Sequence, residues 1–323
     1  MNKYAIVLAA GKGTRMKSDL PKVLHPVCGK PMLQHIIDKL KEINIQEIIV
    51  VIGHKGDQIK KTIKDPVTFV EQDEQKGTAH AVQQAMPQLA DKEGTTLVIT
   101  GDTPLITADT LNSFLNFHIK SNAKGTVLTA THDNPTGYGR IIREHSTSND
   151  VNGIVEEKDA SSSQKEIKEV NTGIFAFDNS SLLKYLPQIK NNNAQNEYYL
   201  TDIVSVFLEN HLKFGGYTLN DPTETMGINS RIQLSEAERI FRKRINAFHM
   251  DNGVTIIDPD NTYIEDEVVI RNDTVIYPGC FISGKTVIGS NVTIYPYSII
   301  CNVIIEDGSI IKNPAITNLI VNN

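Results

Sequence analysis

From Asn261 onward isoleucine returns at 264, 270, 276, 282, 288, 294 and 300, a fixed interval of six residues. Four residues after each of the first six stands a small or β-branched residue: Val268, Thr274, Cys280, Thr286, Val292 and Ser298. A six-residue interval matches neither the 3.6-residue turn of an α-helix nor the two-residue alternation of a strand. It suits a solenoid in which each short flat segment turns one apolar side chain inward. The repeat therefore predicts a parallel β-helix, with three hexads per triangular coil and an isoleucine on the inside of each face. The run from Ile264 to Ile300 amounts to a little over two coils. After Ile300 the phase slips, with Ile305 and Ile311 next.

The first 230 residues are organised differently. Tyr4 to Leu8 is a short apolar run ending in Ala9-Ala10-Gly11, which reads as a buried strand entering a turn. Glu47 to Ile52, Val67 to Val70 and Thr96 to Thr100 read as further strands. Between them Pro31 to Ile43, Thr78 to Met86 and Ala108 to Lys120 read as helices. This alternation predicts an α/β domain, a Rossmann-like, mostly parallel sheet with helices on both faces. Ligands of such sheets bind beyond the carboxyl ends of the strands, where the turns after Leu8 and Thr100 fall. Ser230 to Met250 carries Ile232, Leu234, Ala237, Phe241, Ile245 and Phe248 three or four residues apart, one amphipathic connecting helix. The expected division is 1–229, a connecting helix at 230–250, and the repeat at 251–323.

Charge and cysteine content narrow the class. Lys plus Arg total 32 against 38 for Asp plus Glu, and no block of like charge stands out. That argues against a nucleic-acid or anionic-membrane surface. The early apolar run is too short for a signal sequence or a membrane span. Cys28, Cys280 and Cys301 lack metal-ligand spacing, and the expectation is a reduced, cytoplasmic protein. Cys280 falls on a small inward position of the repeat.

Leu8 to Met16 reads LAAGKGTRM, with Pro21-Lys22 shortly after. Gly11 and Gly13 behind a buried strand let the backbone approach a ligand, and successive N–H groups there can form an anion nest. Arg15 and Lys22 add the positive charge a polyphosphate requires. A lone GxG turn is more often an ordinary β–α connection. The segment is neither a dinucleotide fingerprint, lacking a third glycine, nor a P-loop. Taken alone, Asp102 reads equally well as a helix cap and Glu156 as part of a solvated charge run. His80 reads as a packed helix residue.

LAAGKGTRM with Pro21-Lys22 resembles the signature of the sugar-nucleotide pyrophosphorylases. Further stretches carry the resemblance: EQ at 71–72, GTAHA at 77–81, GDTPLI at 101–106, GYGRI at 137–141, VEEKDA at 155–160, EVNTGI at 169–174, NNNAQNEYYLTD at 191–202 and GIN at 227–229. With the hexads behind a connecting helix, they are similar to the bacterial bifunctional enzymes whose first half is an N-acetylglucosamine-1-phosphate uridylyltransferase. The resemblance implies a left-handed β-helix and a set of site roles. Leu8, Ala9, Ala10 and Gly11 would present backbone to the nucleotide. Gln72, Gly77 and Thr78 would read uracil. Gly139, Glu156 and Asn171 would hold the sugar. Asp102 and Asn229 would ligate Mg²⁺, with Asn229 also at the substrate, and Arg15 and Lys22 would bind phosphate and act in catalysis. Many relatives carry tyrosine where Thr100 stands, which alters packing at the nucleotide and leaves Asp102 in place.

The reaction so implied joins UTP and N-acetylglucosamine 1-phosphate into UDP-N-acetylglucosamine, a cell-wall precursor, and pyrophosphate. The acetyltransferase of the family lies in a segment resembling HLTYLGD, which the chain lacks. The expectation is uridylyl transfer without acetylation, and a β-helix too short to make the family's homotrimer certain. Two rival readings are a pyrophosphorylase for another hexose 1-phosphate and a non-catalytic nucleotidyltransferase-like regulator. The intact Gly11, Arg15, Lys22, Asp102 and Asn229 weigh against the second.

Overall fold

The strand Lys3–Ala9 lies inside the first sheet, paired on both sides and with both faces covered, and so its run is apolar without alternation. In the computed structural model, which describes residues 2–145, 148–312, 315–317 and 320–321, the chain forms two compact units. The first is Met1–Leu24 with Met32–Asn229, and the second is His25–Pro31 with Ser230–Asn323.

The sheet of the first unit runs in the order Phe214–Leu219, Gly125–Thr131, Glu169–Asp178, Thr95–Thr100, Lys3–Ala9, Glu47–Ile52 and Thr68–Glu71. Glu169–Asp178 is antiparallel to both its neighbours, and the other pairings along this path are parallel. Two short strands, Arg140–Ile142 and Gly153–Val155, branch from it as an antiparallel ribbon. The helix Met32–Glu42 shows why the elements hold. Leu33, Ile36, Ile37 and Leu40 are fully buried, and each contributes about 1.5–3 kcal/mol by leaving water. The helices Thr78–Leu89 and Ala108–Ser121 start where the sequence places them, the second capped by the Thr107 hydroxyl.

In the second unit the helix Arg231–Asp251 is capped by Ser230, and the β-helix follows. Its three faces each carry four parallel strands, from Thr255–Ile256 to Ile320–Val321. Ile264 pairs with Ile282 and Ile282 with Ile300, a coil of eighteen residues. All seven repeat isoleucines are buried. The inward corners Thr274, Cys280, Thr286 and Ser298 are buried too, and their hydroxyl or thiol groups donate to backbone carbonyls. The repeat is longer than the uninterrupted hexads suggest. Ile305 stacks on Ile288 and Ile311 on Ile294, seventeen residues on, so the phase slip shortens one coil by a residue without ending it.

Residues 25–31 fold with this second unit, which no periodicity in the sequence foretells. Pro26–Val27 and Lys30–Pro31 form a two-stranded hairpin. The Cys28 N–H donates to the Glu238 carboxylate at 2.7 Å, and the Cys28 carbonyl accepts from the Asp266 N–H at 3.1 Å. Lys30 pairs with Asp266 at 2.5 Å.

Candidate active site

The strand Lys3–Ala9 delivers Leu8, Ala9, Ala10 and Gly11 to the carboxyl edge of the sheet. They line a cavity of about 280 Å³ together with Lys22, Gln72, Gly77, Thr78 and Asp102. Nine residues singled out from sequence thus share one concave wall. The same wall includes Val23, Gln75, Ala81, Thr100 and Glu197. Gln75 closes over the glycine turn by donating its amide to the Ala10 carbonyl at 3.1 Å. A glutamine in a polar loop carries no sequence signal for that contact.

Four polar contacts assemble one end of the site. The Gly101 N–H donates to the Leu8 carbonyl at 2.9 Å, joining the turn after Thr95–Thr100 to the strand Lys3–Ala9. The Ile228 N–H donates to the Asp102 carbonyl at 2.9 Å, so the 227–229 segment is tied to the same turn. Lys22 then reaches both pieces, its ammonium pairing with the Asp102 carboxylate and donating to Asn229 Oδ1 at 2.9 Å. Gly13 makes room for this lysine: it adopts φ +61°, and a Cβ there would meet Lys22 Cβ at 2.7 Å. Asp102 caps no helix, since Thr107 caps the one that follows.

Asp102 and Asn229 thus both turn an oxygen to the Lys22 ammonium, a pair of donors that could also serve a hard divalent ion. Such an ion takes its remaining ligands from water and substrate phosphate. Among the described residues no group of three or more His, Cys, Asp or Glu stands ready to hold a metal by itself.

At the other end Gln72 is buried, and its amide nitrogen donates to the Gly77 carbonyl at 3.1 Å and faces His80 Nδ1 at 3.0 Å. His80 is therefore the residue that orients Gln72 from the helix behind it. Gly77 has φ +113°, and a Cβ would meet the Tyr198 carbonyl oxygen at 2.5 Å. The bare backbone lets Tyr198 receive the Ala79 N–H at 2.9 Å, and the Thr78 hydroxyl accepts from the Leu200 N–H at 3.0 Å. The 197–200 stretch is thereby laced to the start of the helix Thr78–Leu89.

Gly139, Glu156 and Asn171 come together away from the lining of that cavity. The Asn171 N–H donates to the Gly139 carbonyl at 2.8 Å, and the Glu156 carboxylate lies 3.3 Å from where a Gly139 Cβ would stand. Thr201 donates its hydroxyl to Glu156 at 3.0 Å. Burial raises the Glu156 carboxyl above the usual range, against the Thr201 hydrogen bond, with Asp202 and Asp159 acting in the same upward sense. Arg15 is exposed on the short 3-10 helix Thr14–Met16 and is not part of the cavity lining.

The family of MobA-like NTP transferase domains matches residues 5–159. A crystal structure of UDP-glucose pyrophosphorylase complexed with UDP-glucose superposes with a TM-score of 0.60 at 18% identity, over 76% of this chain and all of that one, a likeness of fold. Bifunctional protein GlmU of Geobacillus sp. (strain WCH70) is 52% identical over 313 residues, 97% of this chain and 68% of the relative. The protein of the same name from Enterococcus faecalis (strain ATCC 700802 / V583) is 49% identical over 320 residues, 99% of this chain and 69% of the relative. In that from Brevibacillus brevis (strain 47 / JCM 6285 / NBRC 100599), at 52% identity, the match spans 66% of the relative. The chain thus spans about two thirds of the length of these relatives. No helix among the described residues is long and apolar enough to cross a membrane. With identities near one half across nearly its whole length, the chain belongs to the GlmU family.

Proposed function

We propose that this chain is a UDP-N-acetylglucosamine diphosphorylase, transferring UMP from UTP to N-acetylglucosamine 1-phosphate with release of pyrophosphate, and so supplying a precursor of peptidoglycan. The observation that carries the reading is the meeting of Lys22, Asp102 and Asn229 at one end of a cavity walled by Leu8 to Gly11 and Gln72 to Thr78.

The sugar phosphate is already an oxygen nucleophile, so the protein needs no strong base. Its work is to hold two polyanions in line and stabilise charge at the α-phosphorus. Backbone groups of Ala9 to Gly11 face the nucleotide phosphates. The Gln72 amide nitrogen is committed to Gly77 and His80, which leaves its oxygen to accept from the imide N–H of uracil. Gly139, Glu156 and Asn171 hold the sugar. Asp102 and Asn229 would hold the divalent ion, Mg²⁺ in this reading, which would supply Lewis-acid stabilisation of developing charge when bound. Lys22, which holds the same two oxygens here, and Arg15 would neutralise the developing charge and the leaving pyrophosphate.

A pyrophosphate-release assay with UTP, N-acetylglucosamine 1-phosphate and Mg²⁺ tests the reading. Turnover is expected to depend on all three. A panel of other hexose 1-phosphates is expected to give far slower release, and equal or faster release with glucose 1-phosphate would move the assignment to that sugar. Absence of turnover with every sugar phosphate would make the chain a binding module.

A further inference from the structure

Gly139 and Glu156 flank the two strands of the antiparallel ribbon, Arg140–Ile142 and Gly153–Val155, in which Arg140 stands opposite Val155. The next residue after each, Arg140 and Glu157, forms an ion pair at 2.8 Å. Arg140 is only 1% exposed, and a buried guanidinium is tolerable only when its donors are matched. They are matched here by three acceptors. One terminal nitrogen donates to the Tyr138 carbonyl, the other pairs with Glu157, and Nε and Nη2 both face the Lys165 carbonyl at 3.4 Å.

The same Glu157 oxygen accepts the Gly137 N–H at 3.2 Å. Gly137, Glu157, Arg140 and Tyr138 thus close a ring of hydrogen bonds around the 137–140 turn. From the other side the Gly139 carbonyl receives the Asn171 N–H at 2.8 Å. The peptide units around Gly139 are therefore pinned twice, and Glu156 is carried on the residue next to one of the pins. A lysine would supply the charge of Arg140 and could not bridge a carboxylate and two separate carbonyls, because it lacks the planar fork.

We propose that Arg140 and Glu157 are positioning residues for the sugar phosphate: they touch no substrate, and they set the spacing of Gly139 and Glu156 at which the sugar is recognised. The proposal rests on the assignment of Gly139, Glu156 and Asn171 to the sugar made above. It separates sugar recognition from nucleotide recognition, since the Gln72 to Thr78 wall shares no hydrogen bond with the ring.

The test is Glu157→Gln and Arg140→Lys in the full chain, with UTP and N-acetylglucosamine 1-phosphate varied separately. Hydrogen exchange at the Gly137 and Asn171 amides and thermal melting accompany the kinetics. For Glu157→Gln we expect KM for the sugar phosphate to rise about tenfold, KM for UTP to stay within about twofold, and the Gly137 amide to exchange faster. Arg140→Lys should show the same split more strongly. Equal rises in both KM values, or unchanged kinetics for Glu157→Gln, would overturn the proposal in favour of a merely structural pair. If the unsubstituted chain does not turn over the sugar phosphate, the functional reading fails by itself. The exchange result is then read alone, and unaltered protection at Gly137 in Glu157→Gln overturns the positioning role.

Discussion

Lys22 is the residue whose place in the chain says least and whose contacts say most. Behind the glycine turn it reads as charge for a polyphosphate, yet its ammonium sits between Asp102 and Asn229, which are 80 and 207 residues away in sequence. The local chemistry is legible in a glycine turn after a buried strand and an aspartate after another, whereas Asn229 is singled out only by the family resemblance. What was not legible was who holds whom, because a hydrogen bond between distant segments leaves no period in the sequence. The same holds for His80 behind Gln72 and for the buried Arg140. If Asp102 is the carboxylate ligand, Asp102→Ala should lower kcat about a hundredfold or more while the melting temperature changes little. Near-normal turnover at saturating Mg²⁺ would remove it from the metal site. Arg15, exposed and outside the cavity lining, makes a sharper test of the charge argument. Arg15→Ala should depress kcat far more than it raises KM for the sugar phosphate, as loss of a contact made only in the transition state requires. The reverse pattern in steady-state kinetics would make Arg15 a ground-state binder.

At the scale of elements, pattern was most legible where one face is buried and the period is short. The hexads gave the β-helix its core directly, and even the slip after Ile300 is absorbed, because a coil can lose one residue at a corner and keep Ile305 over Ile288. Ile288 is completely buried in this stack, so Ile288→Ala should cost about 2–5 kcal/mol, read as a lower urea midpoint. A midpoint unchanged within error would mean the coil collapses around the gap. The helix Ala108–Ser121 carries a less visible feature in His118. It is 3% exposed, and its Nδ1 lies 2.8 Å from the Thr126 hydroxyl. Burial pushes its pKa down to about 4 from 6.5. Between those values the unfolded chain binds a proton that the folded chain refuses, so stability falls as the pH drops. The loss begins below about 6.5 and is complete below about 4, reaching roughly 3 to 4 kcal/mol at about 1.4 kcal/mol per pKa unit. His118→Asn, which retains a group for Thr126, should flatten the dependence of the urea midpoint on pH across that window. An unflattened curve would assign the proton to another buried histidine.

For the molecule as a whole, the order of the chain and the order of the units differ. The sequence suggests a plain succession of domain, helix and repeat, yet residues 25–31 belong with 230–323. Seven residues with no periodicity could not announce this, because their attachment rests on single contacts to distant residues. Those contacts make a measurable prediction. Cys28 is buried, and its thiol pKa is raised first by burial and then by the nearby Glu238 and Asp266 carboxylates, so the reactive thiolate is suppressed. In the full chain Cys28 should therefore resist thiol reagents at neutral pH, while the partly exposed Cys301 reacts. A chain ending at Asn229 removes Glu238 and Asp266 together. Cys28 should then label readily, and the amides of 25–31 should lose their protection from hydrogen exchange. Labelling followed by mass mapping, with exchange measured on the same samples, reads both effects. Equal protection of Cys28 in the long and short chains would place the anchor of this hairpin within residues 1–229 and undo the interleaved division. Glu238→Gln in the full chain separates the two causes. It removes the carboxylate charge and leaves the acceptor for the Cys28 N–H, so Cys28 should become more reactive while the hairpin amides stay protected.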